Sequence, residues 1–285
     1  MRLYIYLLTL FWSSKASRMH KFKALLWGVY YHRWIRKLHA HLSATGTDYV
    51  LQIHPYIPFM FRMKAYILKQ VNADFILSRL VGHYQHLDRC FGEQGISAIH
   101  TGGLPLKEFY VGKHKINIVL QYIDWMSQEG QLSVKLLLDD QVFYYAQIHF
   151  YDRALWIGGF QGCPNQLEVY KRFTKDFMGL RPHNFMYLIL TVLAKHLALE
   201  KIYAVAGNQH YYQKKERTMR QVQFGYDEFW SELGGELMQD GAWFSMPIIY
   251  PRKKIAEIPS KKRSQYNQRY ALIDQVMAEF LGQEG

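Results

Sequence analysis

The chain has 285 residues, enough for one large hydrophobic core or two modest ones, and its 49% hydrophobic and 20% charged residues are typical of a globular protein. Its two cysteines, Cys90 and Cys163, exclude a disulfide scaffold, and no Cys and His pattern predicts a metal site. Lys and Arg outnumber Asp and Glu by 35 to 23, a formal net charge of +12. This surplus favours an anionic partner, such as nucleic acid, an acidic lipid surface or a phosphate-bearing cofactor, over a basic surface without a particular partner.

The amino terminus carries a continuous apolar run, Leu3–Trp12. The run is shorter than the roughly 20 residues that span a bilayer, so we expect no transmembrane span. Tyr4 and Tyr6 are unusual in a signal peptide, which favours an aromatic anchoring segment or a buried first helix. A faint cleavage pattern at Ser14 keeps export to the periplasm as the less favoured alternative. We therefore expect a cytoplasmic protein that can associate with a membrane.

Residues 1–109 are predicted to be mainly helical. In Lys21–Leu42, apolar residues recur at helical spacing and basic residues occupy other positions, which indicates a basic amphipathic helix. Such a helix either packs on the domain with a solvated basic face, the favoured interpretation, or contacts a membrane surface or RNA. A second helix is predicted over Met63–Phe91, and glycines from Gly92 to Gly103 end the helical part.

The hydrophobic period changes to two from Ile116 onward, which predicts β-strands. Turn sequences separate the apolar stretches at hairpin spacing, so the strands should form an antiparallel meander. The predicted strands are Ile116–Trp125, Leu132–Leu138, Val142–Tyr151 and Ala154–Gly158.

A long apolar helix is predicted after the meander. Pro182 stands where a first-turn proline belongs, and the segment after it is apolar on nearly all sides, so this helix should be buried against the sheet. Lys201–Ala206 is predicted to be a strand parallel to Ala154–Gly158, which makes the helix a crossover. The predicted fold is therefore α+β: the helical region, then a mixed, mostly antiparallel sheet domain with a buried crossover helix, residues 110–260, and a basic C-terminal helix packed on it, residues 261–285.

Several short sequence motifs along the chain are similar to those of the bacterial VirK/YbjX family. They are Trp156–Gly162, Gly179–Pro182, Tyr226–Trp230 with Gly234-Gly235, Asp240-Gly241, and the regions around His54-Pro55 and His83-Tyr84. Together they cover almost the whole chain. The family has no established biochemical activity, and the resemblance implies only a loose link to virulence, to remodelling of the cell envelope or lipid A, and to tolerance of antimicrobial peptides.

The predicted element order resembles a second, more distant family, the acetyl-CoA-dependent N-acyltransferases of the GNAT superfamily. In those enzymes the helix after the fourth strand receives the pyrophosphate of the cofactor on its amino-terminal N–H groups, where the helix dipole favours an anion. The resemblance implies an acyl-CoA, or an acyl- or aminoacyl-tRNA, as donor. Cofactor-binding candidates around this helix and the preceding strand are Arg181, His183, Asn184, Gly158, Gly159, Gln161 and Asn208.

Three features depart from the superfamily pattern. A linker, Cys163–Met178, replaces the short glycine-rich phosphate loop, and Pro182 removes one N–H donor. In many such enzymes a Tyr protonates the departing thiolate, but Trp230 occupies the corresponding position, and an indole cannot act as this acid. Tyr226, one turn earlier, is the candidate substitute.

The candidate bases follow the second central strand. His210 lies beyond the carboxyl end of Lys201–Ala206, where a crossover fold places its ligand crevice, and its ordinary pKa suits a general base. A loop histidine with a single hydrogen bond is the alternative. Glu228 is the second candidate base, with stabilisation of a helix start as its alternative role. His149 lies within a strand and is interpreted as a core residue.

Three hypotheses follow from these residues. The first is a GNAT-like acyl- or aminoacyl-transferase that acts on an amine. The second is a non-catalytic protein of the same fold that binds an anionic lipid or nucleotide. The third is an envelope-associated chaperone, which requires the amino terminus to be a real export signal.

Overall fold

The computed structural model describes residues 26–214 and 225–282, so the apolar run Leu3–Trp12 and the start of the predicted helix Lys21–Leu42 lie outside the described residues. The predicted α+β class is confirmed, with helices and a mostly antiparallel sheet of eight strands. None of the helices in these two ranges is long and apolar enough to cross a membrane.

The sheet has the strand order β1-β2-β3-β4-β5-β6-β8-β7, and only β5 and β6 pair in parallel. The strands are β1 (Leu104–Val111), β2 (His114–Gln121), β3 (Leu132–Leu138), β4 (Gln141–Tyr151), β5 (Ala154–Gly162), β6 (Lys201–Val205), β7 (Glu236–Leu237) and β8 (Trp243–Met246). The α-helices are α1 (His32–Ser43), α2 (Val50–Ile53), α3 (Ala73–Thr101), α4 (Leu167–Asp176), α5 (Pro182–His196), α6 (Tyr226–Glu232) and α7 (Ser260–Leu281).

Helix α3 starts and ends later than the sequence pattern indicates. Asn72 caps its first turn by accepting a hydrogen bond from the N–H of Phe75 at 2.8 Å. Gly92 has a φ of +61° and kinks the helix instead of ending it. The preceding residues 64–71, predicted as helix, are not helical, and Ile67 has a φ of +62°.

Strand β1 was not predicted, because its residues fall in the region assigned to helices. It pairs with β2 and carries half-buried or exposed residues at most positions, so its sequence lacks a clean apolar alternation. The meander β2–β5 is confirmed, with β2 shorter than predicted and β5 extended beyond Gly158 to Gly162.

Helix α5 is the buried crossover between β5 and β6. Pro182 is its first residue, as predicted, and Arg181 is the N-cap with extended backbone. Its side chains are almost all buried, since the sheet contacts one side and α4 and α7 contact others. Helix α3, before the sheet in the chain, packs against β4. Helix α7, after the sheet in the chain, packs against β1.

The parallel pairing of β5 and β6 is only four residues long. It joins Ala154–Ile157 to Lys201–Ala204. Gly158 is an extra residue between the pairs that β5 forms with β4, which makes it a β-bulge. Beyond the bulge β5 continues along β4 alone. The two parallel strands therefore stop pairing at Gly158, close to the sheet end where α5 begins.

Candidate functional site

Helix α6 bridges the two strands beyond the bulge. The hydroxyl of Tyr226 accepts a hydrogen bond from the N–H of Phe160 in β5 at 3.0 Å. Trp230, one turn later, is fully buried and donates from Nε1 to the carbonyl of Val205 in β6 at 3.0 Å. Side chains of one short helix thus satisfy backbone groups of both strands where their mutual pairing has ended.

The glycines at the bulge accommodate Glu129, a residue just before β3. A Cβ on Gly159 would collide with Oε2 of Glu129, and a Cβ on Gly158 would collide with the carbonyl oxygen of Glu129. Side chains larger than hydrogen at these two positions would displace Glu129 from β5. The close approach that the sequence suggested for a cofactor is therefore made here by a carboxylate of the protein itself.

The carboxylate of Glu129 faces His210. Oε2 of Glu129 lies 3.5 Å from Nε2 of His210, and the two residues are only 3% and 1% exposed. The N–H of Tyr212 donates to Nδ1 of His210 at 3.3 Å, so a neutral His210 carries its proton on Nε2, toward Glu129. Within the described ranges, neither Oε1 of Glu129 nor Nε2 of His210 has a hydrogen-bond partner, so the 3.5 Å contact is an ion-pair distance and not a hydrogen bond.

The segment 64–71 holds His210 in place. Leu68 forms an isolated β-bridge with His210, and the N–H of Tyr211 donates to the carbonyl of Ile67 at 3.0 Å. The N–H of Ile67 in turn donates to the carbonyl of Gln128 at 2.7 Å. One non-helical segment, which turns at Ile67, therefore connects the residue before Glu129 with the residue after His210 and fixes the distance between the two side chains.

Tyr226 completes the buried cluster. Its ring stacks on the imidazole of His210 with centroids 5.0 Å apart. Burial, reinforced by the negative charge of Glu129, raises the pKa of the Tyr226 hydroxyl well above its ordinary value. The phenol is therefore protonated at neutral pH. We call Glu129, His210 and Tyr226 the bulge cluster.

A second feature lies at the amino terminus of α5. A cavity of about 740 Å³ opens beside Arg181 and Asn184. Its other cationic lining residues are Arg252, Lys253 and Arg269, and its aromatic lining residues are Tyr250, Tyr266 and Tyr270. Glu232 is the acidic residue of the lining. Cations, rings and a helix amino terminus suit a phosphate-bearing ligand with a flat group. We call this cavity the α5 pocket.

The α7 helix supplies part of the α5 pocket. Nε of Arg269 donates to the carbonyl of Met178 at 2.9 Å, and its guanidinium lies 4.3 Å from the ring centre of Tyr266. Arg252 is held by Asp274, with Nη1 and Oδ2 3.1 Å apart. Two of the cations are therefore positioned by contacts within the protein, which lowers the entropic cost of binding an anion.

The predicted site residues fall into two groups. His210 and Tyr226 meet in the bulge cluster, beside Gly158 and Gly159, whereas Arg181 and Asn184 line the α5 pocket. His183 packs against Phe229 with ring centroids 4.9 Å apart, and burial, aided by the charge of Arg181, lowers its pKa to about 4. It therefore stays neutral at physiological pH.

Three other candidates lie at the edges of these groups. Glu228 and Asn208 are exposed and do not belong to the bulge cluster. Gln161 is half-buried in β5, and its Nε2 has no acceptor in the parts of the chain that the structure describes. In those same parts, no group of His, Cys, Asp and Glu residues is arranged to hold a metal ion.

The sequence pattern missed the carboxylate of the bulge cluster. Glu129 stands in Gln128-Glu129-Gly130, which has ordinary turn chemistry and gave no sign of burial. The neighbouring Gly130 was the one sequence feature that could have indicated close packing of this turn. A Cβ at Gly130 would collide with the backbone of Ile148. Arg269 was also missed, since it lies in residues 261–285, which were interpreted only as a basic C-terminal helix. Arg252 lies just before that helix and was not singled out.

Comparison with known proteins gives relatives without a described activity. The chain is 27% identical over 229 residues to the "Uncharacterized protein YbjX" of Escherichia coli strain K12, which covers 76% of this chain and 68% of the relative. Two proteins of Haemophilus influenzae strain Rd, each named "Uncharacterized protein", are 28% and 36% identical over 166 and 137 residues. Those stretches cover 57% and 45% of this chain, and 55% and 44% of the relatives.

No solved structure matches the chain. The family model described as "Protein of unknown function (DUF535)" matches residues 13–281, nearly the full length. The resemblance to VirK/YbjX proteins is thereby confirmed, and the chain belongs to the DUF535 family.

Proposed function

We propose that the protein is an acyl- or aminoacyl-transferase with a GNAT-like core, which moves an acyl group from a thioester or acyl-tRNA donor to an amine. The observation that carries the proposal is the end of β5–β6 pairing at the Gly158 bulge, together with the basic pocket at the amino terminus of α5. The ring of Phe229 connects the two, because it contacts both Phe160 of β5 and His183 in the first turn of α5. The element order, a meander, a buried crossover helix, a strand, a short helix and a closing strand, supports the same family of folds.

In this proposal the α5 pocket holds the phosphate groups of the donor. The remaining first-turn N–H groups of α5 and the guanidinium of Arg181 provide the anion contacts, with Arg252 and Arg269 nearby. The donor's acyl end would then extend along the strand end toward Phe160. A net charge of +12 adds a long-range attraction for such polyanionic donors.

The bulge cluster would carry the proton transfers. The amine nitrogen attacks the acyl carbonyl carbon and loses a proton to the His210–Glu129 pair, while the bond from the carbonyl carbon to the leaving sulfur or oxygen breaks. The protonated phenol of Tyr226 supplies the proton for that leaving group. Afterwards the cluster exchanges protons with solvent to restore its starting state. Backbone N–H groups of β5 near the bulge would stabilise the oxyanion.

A specific observation favours a second candidate, a non-catalytic binding protein for an anionic lipid or nucleotide. Trp230 stands at the position of the usual acid, and the N–H of Phe160 is already bonded to Tyr226. A bound donor would have to displace this hydrogen bond to use that N–H group. In this alternative the α5 pocket keeps its ligand and the bulge cluster is structural. The implied links to the cell envelope and to virulence fit either candidate.

Thermal unfolding with candidate donors tests the proposal. Acetyl-CoA, longer acyl-CoAs, aminoacyl-tRNA and CoA alone are each titrated against the full chain. A donor at a hundred times its Kd should stabilise the fold by about 2.7 kcal/mol. Arg181→Ala should remove the stabilisation. Arg172→Ala is the matched control, because Arg172 is an exposed arginine on α4, outside the α5 pocket.

The outcomes separate the candidates. Stabilisation that depends on Arg181, together with transfer of a labelled acyl group to an amine such as a polyamine or a lysine peptide, supports the transferase. The same stabilisation without transfer to any amine supports the binding protein. Equal loss in both arginine variants would mean that only the general positive charge acts, and the α5 pocket would then not be the donor site.

A further inference from the structure

A second polar cluster is buried on the α3 side of the sheet, away from the α5 pocket. It contains Arg79 and His83 of α3 and His149 of β4, which are 8%, 0% and 0% exposed. The ring of Trp156 in β5 links them, because it lies 4.1 Å below the guanidinium of Arg79 and stacks on His149 at 5.9 Å. The proposed transferase mechanism uses none of these three side chains.

Arg79 is a buried cation that forms no salt bridge within the described residues. Its guanidinium is 4.0 Å from the ring centre of Tyr151 and 4.8 Å from that of Phe75, in addition to its contact with Trp156. Burial lowers its pKa to about 10, so it remains charged at neutral pH. Among residues 26–214 and 225–282, no acidic side chain forms a salt bridge with it.

The aromatic rings stabilise the faces of the guanidinium but leave its edges unbonded. Nε and Nη1 of Arg79 are buried and have no acceptor in the described part of the chain. Both ring nitrogens of His149 are likewise buried and unbonded there. Each buried N–H group without an acceptor costs about 1–3 kcal/mol, whereas a cation–π contact contributes about 0.5–2 kcal/mol. Stacking alone therefore does not account for the cluster.

His83 adds a donor of defined tautomer. Its Nδ1 accepts a hydrogen bond from the N–H of Phe150 at 3.1 Å, so the neutral ring carries its proton on Nε2. Burial holds the pKa of His83 well below its ordinary value, which keeps the ring neutral. That Nε2 also has no partner in the two described ranges. Arg79, His83 and His149 thus present unbonded donors within one buried polar region.

We propose that Arg79 and His149 form a buried oxyanion-binding site on the α3 side of the sheet, which takes the carboxylate or phosphate group of a small aromatic or apolar ligand. The guanidinium supplies the counter-charge and charge-assisted hydrogen bonds from its edge, while the rings of Trp156, Tyr151 and Phe75 pack on its faces. The rest of the ligand would contact the half-buried rings of Tyr151 and Phe75. Tyr151 and Phe75 are only half-buried, so the cluster reaches the surface at this rim. The site is independent of the donor site at α5.

Matched charged and neutral probes test the site in the full chain. Benzoate, phenyl phosphate and benzamide are titrated at constant ionic strength, with binding followed by the ¹⁵N signals of the histidine rings and His149 assigned from a His149→Phe variant. Benzoate or phenyl phosphate should bind at least about tenfold more tightly than benzamide and should shift the His149 signal. Arg79→Met should remove this preference, whereas Arg181→Ala in the α5 pocket should retain it.

Several results would overturn the site. Equal binding of benzoate and benzamide to the unaltered chain would exclude an oxyanion site, and this comparison needs no variant to fold. A crystal soaked in benzoate that shows only water on the Arg79 guanidinium would do the same. If Arg79→Met does not fold, Arg79→Lys keeps the charge but loses the planar donor fork, and it should weaken benzoate binding at least about tenfold. Unchanged binding in Arg79→Lys would contradict the proposal.

Discussion

Nε2 of His210 lies 3.5 Å from Oε2 of Glu129, in a region where both side chains are shielded from water. The two residues are 81 positions apart in the chain, and the segment 64–71, which is hydrogen-bonded to the neighbours of both, keeps their separation fixed. Such a pair stabilises the fold only as long as both partners are present, because a single buried polar group has no compensating contact.

Two substitutions of Glu129 should therefore differ in cost. Glu129→Gln keeps the volume and an acceptor for His210, and it should lower the free energy of unfolding by about 1 kcal/mol. Glu129→Leu removes the polar group that lies 3.5 Å from Nε2 of His210, and it should lower the free energy of unfolding by about 3 kcal/mol. Denaturant unfolding measures both. Glu228→Gln, on an exposed carboxylate, should stay within about 0.5 kcal/mol. Equal costs for the two Glu129 variants would show that His210 does not depend on this acceptor.

Gly159→Ala should destabilise the protein through one methyl group. The added carbon would collide with Oε2 of Glu129, so either the carboxylate or β5 must move, at a cost of about 1–3 kcal/mol. Gly102→Ala is the matched control, since a Cβ at Gly102 has open space around it and that glycine has a negative φ. Denaturant unfolding of the two variants gives the comparison. A Gly159 variant as stable as the control would mean that the carboxylate moves without cost.

Acid should destabilise the fold through neutral buried histidines. Burial, with a smaller effect from neighbouring His100, lowers the pKa of His54 to about 3, and burial lowers that of His100 to about 4. Between about pH 6.5 and 4 the unfolded chain binds protons at these rings and the folded chain does not, so stability is fully present above about pH 6.5 and decreases as the pH falls. The slope should be roughly 1.4 kcal/mol per pH unit for each such histidine.

Unfolding measured at pH 7, 5.5 and 4.5 checks this dependence. His54→Gln removes one titrating ring from the buried group and should reduce the slope by about one proton. Gln52→Asn, at an exposed residue without an ionisable group two positions from His54, should leave the slope unchanged. A stability that is flat from pH 7 to 4.5 would contradict the neutral state of these histidines.

Trp230→Phe should act on stability rather than on chemistry. The substitution removes the donor to the carbonyl of Val205 and leaves a void in a fully buried position, so we expect a loss of about 2–4 kcal/mol. Trp125→Phe, at a ring that is 67% exposed, is the control and should change stability by less than about 0.5 kcal/mol. If the Trp230 variant kept full stability, α6 would not depend on this contact.

The parts of the fold that were predictable are those with strong local periodicity. The meander alternates apolar and polar residues, and α5 is apolar on all sides behind Pro182, so each could be assigned without knowing its neighbours. Strand β1 and the segment 64–71 could not, because their conformation is set by pairing with distant residues. Gly92 was interpreted as a helix end, although here it only kinks α3.

The candidate site was predictable to a similar extent. His210 and Tyr226 were found because each is adjacent to a recognisable strand or helix boundary. Glu129 was not found, because the burial of a carboxylate in a turn depends on a bulge in β5 and on the residues after β6, far away in sequence. In the sequence, Arg79 and His149 look like ordinary helix and strand residues. What distinguishes them is that their buried side-chain nitrogens lack hydrogen-bond acceptors among the described residues.

The bulge at Gly158 also leaves β5 paired with β4 on both sides of it. Residues directly opposite each other in antiparallel strands lie on the same face, so Trp156 shares a face with His149, and Gly159 shares one with Gln147. Trp156 before the bulge and Gly159 after it thus lie on the same side of the sheet, although they are three positions apart. Deleting Gly158 would leave Ile157 opposite Ile148 and Gly159 opposite Gln147, so Phe160 would stay on its present face of the sheet. The bulge therefore inserts one residue where β5 stops pairing with β6, and it does so without shifting the side chains that β5 presents along β4.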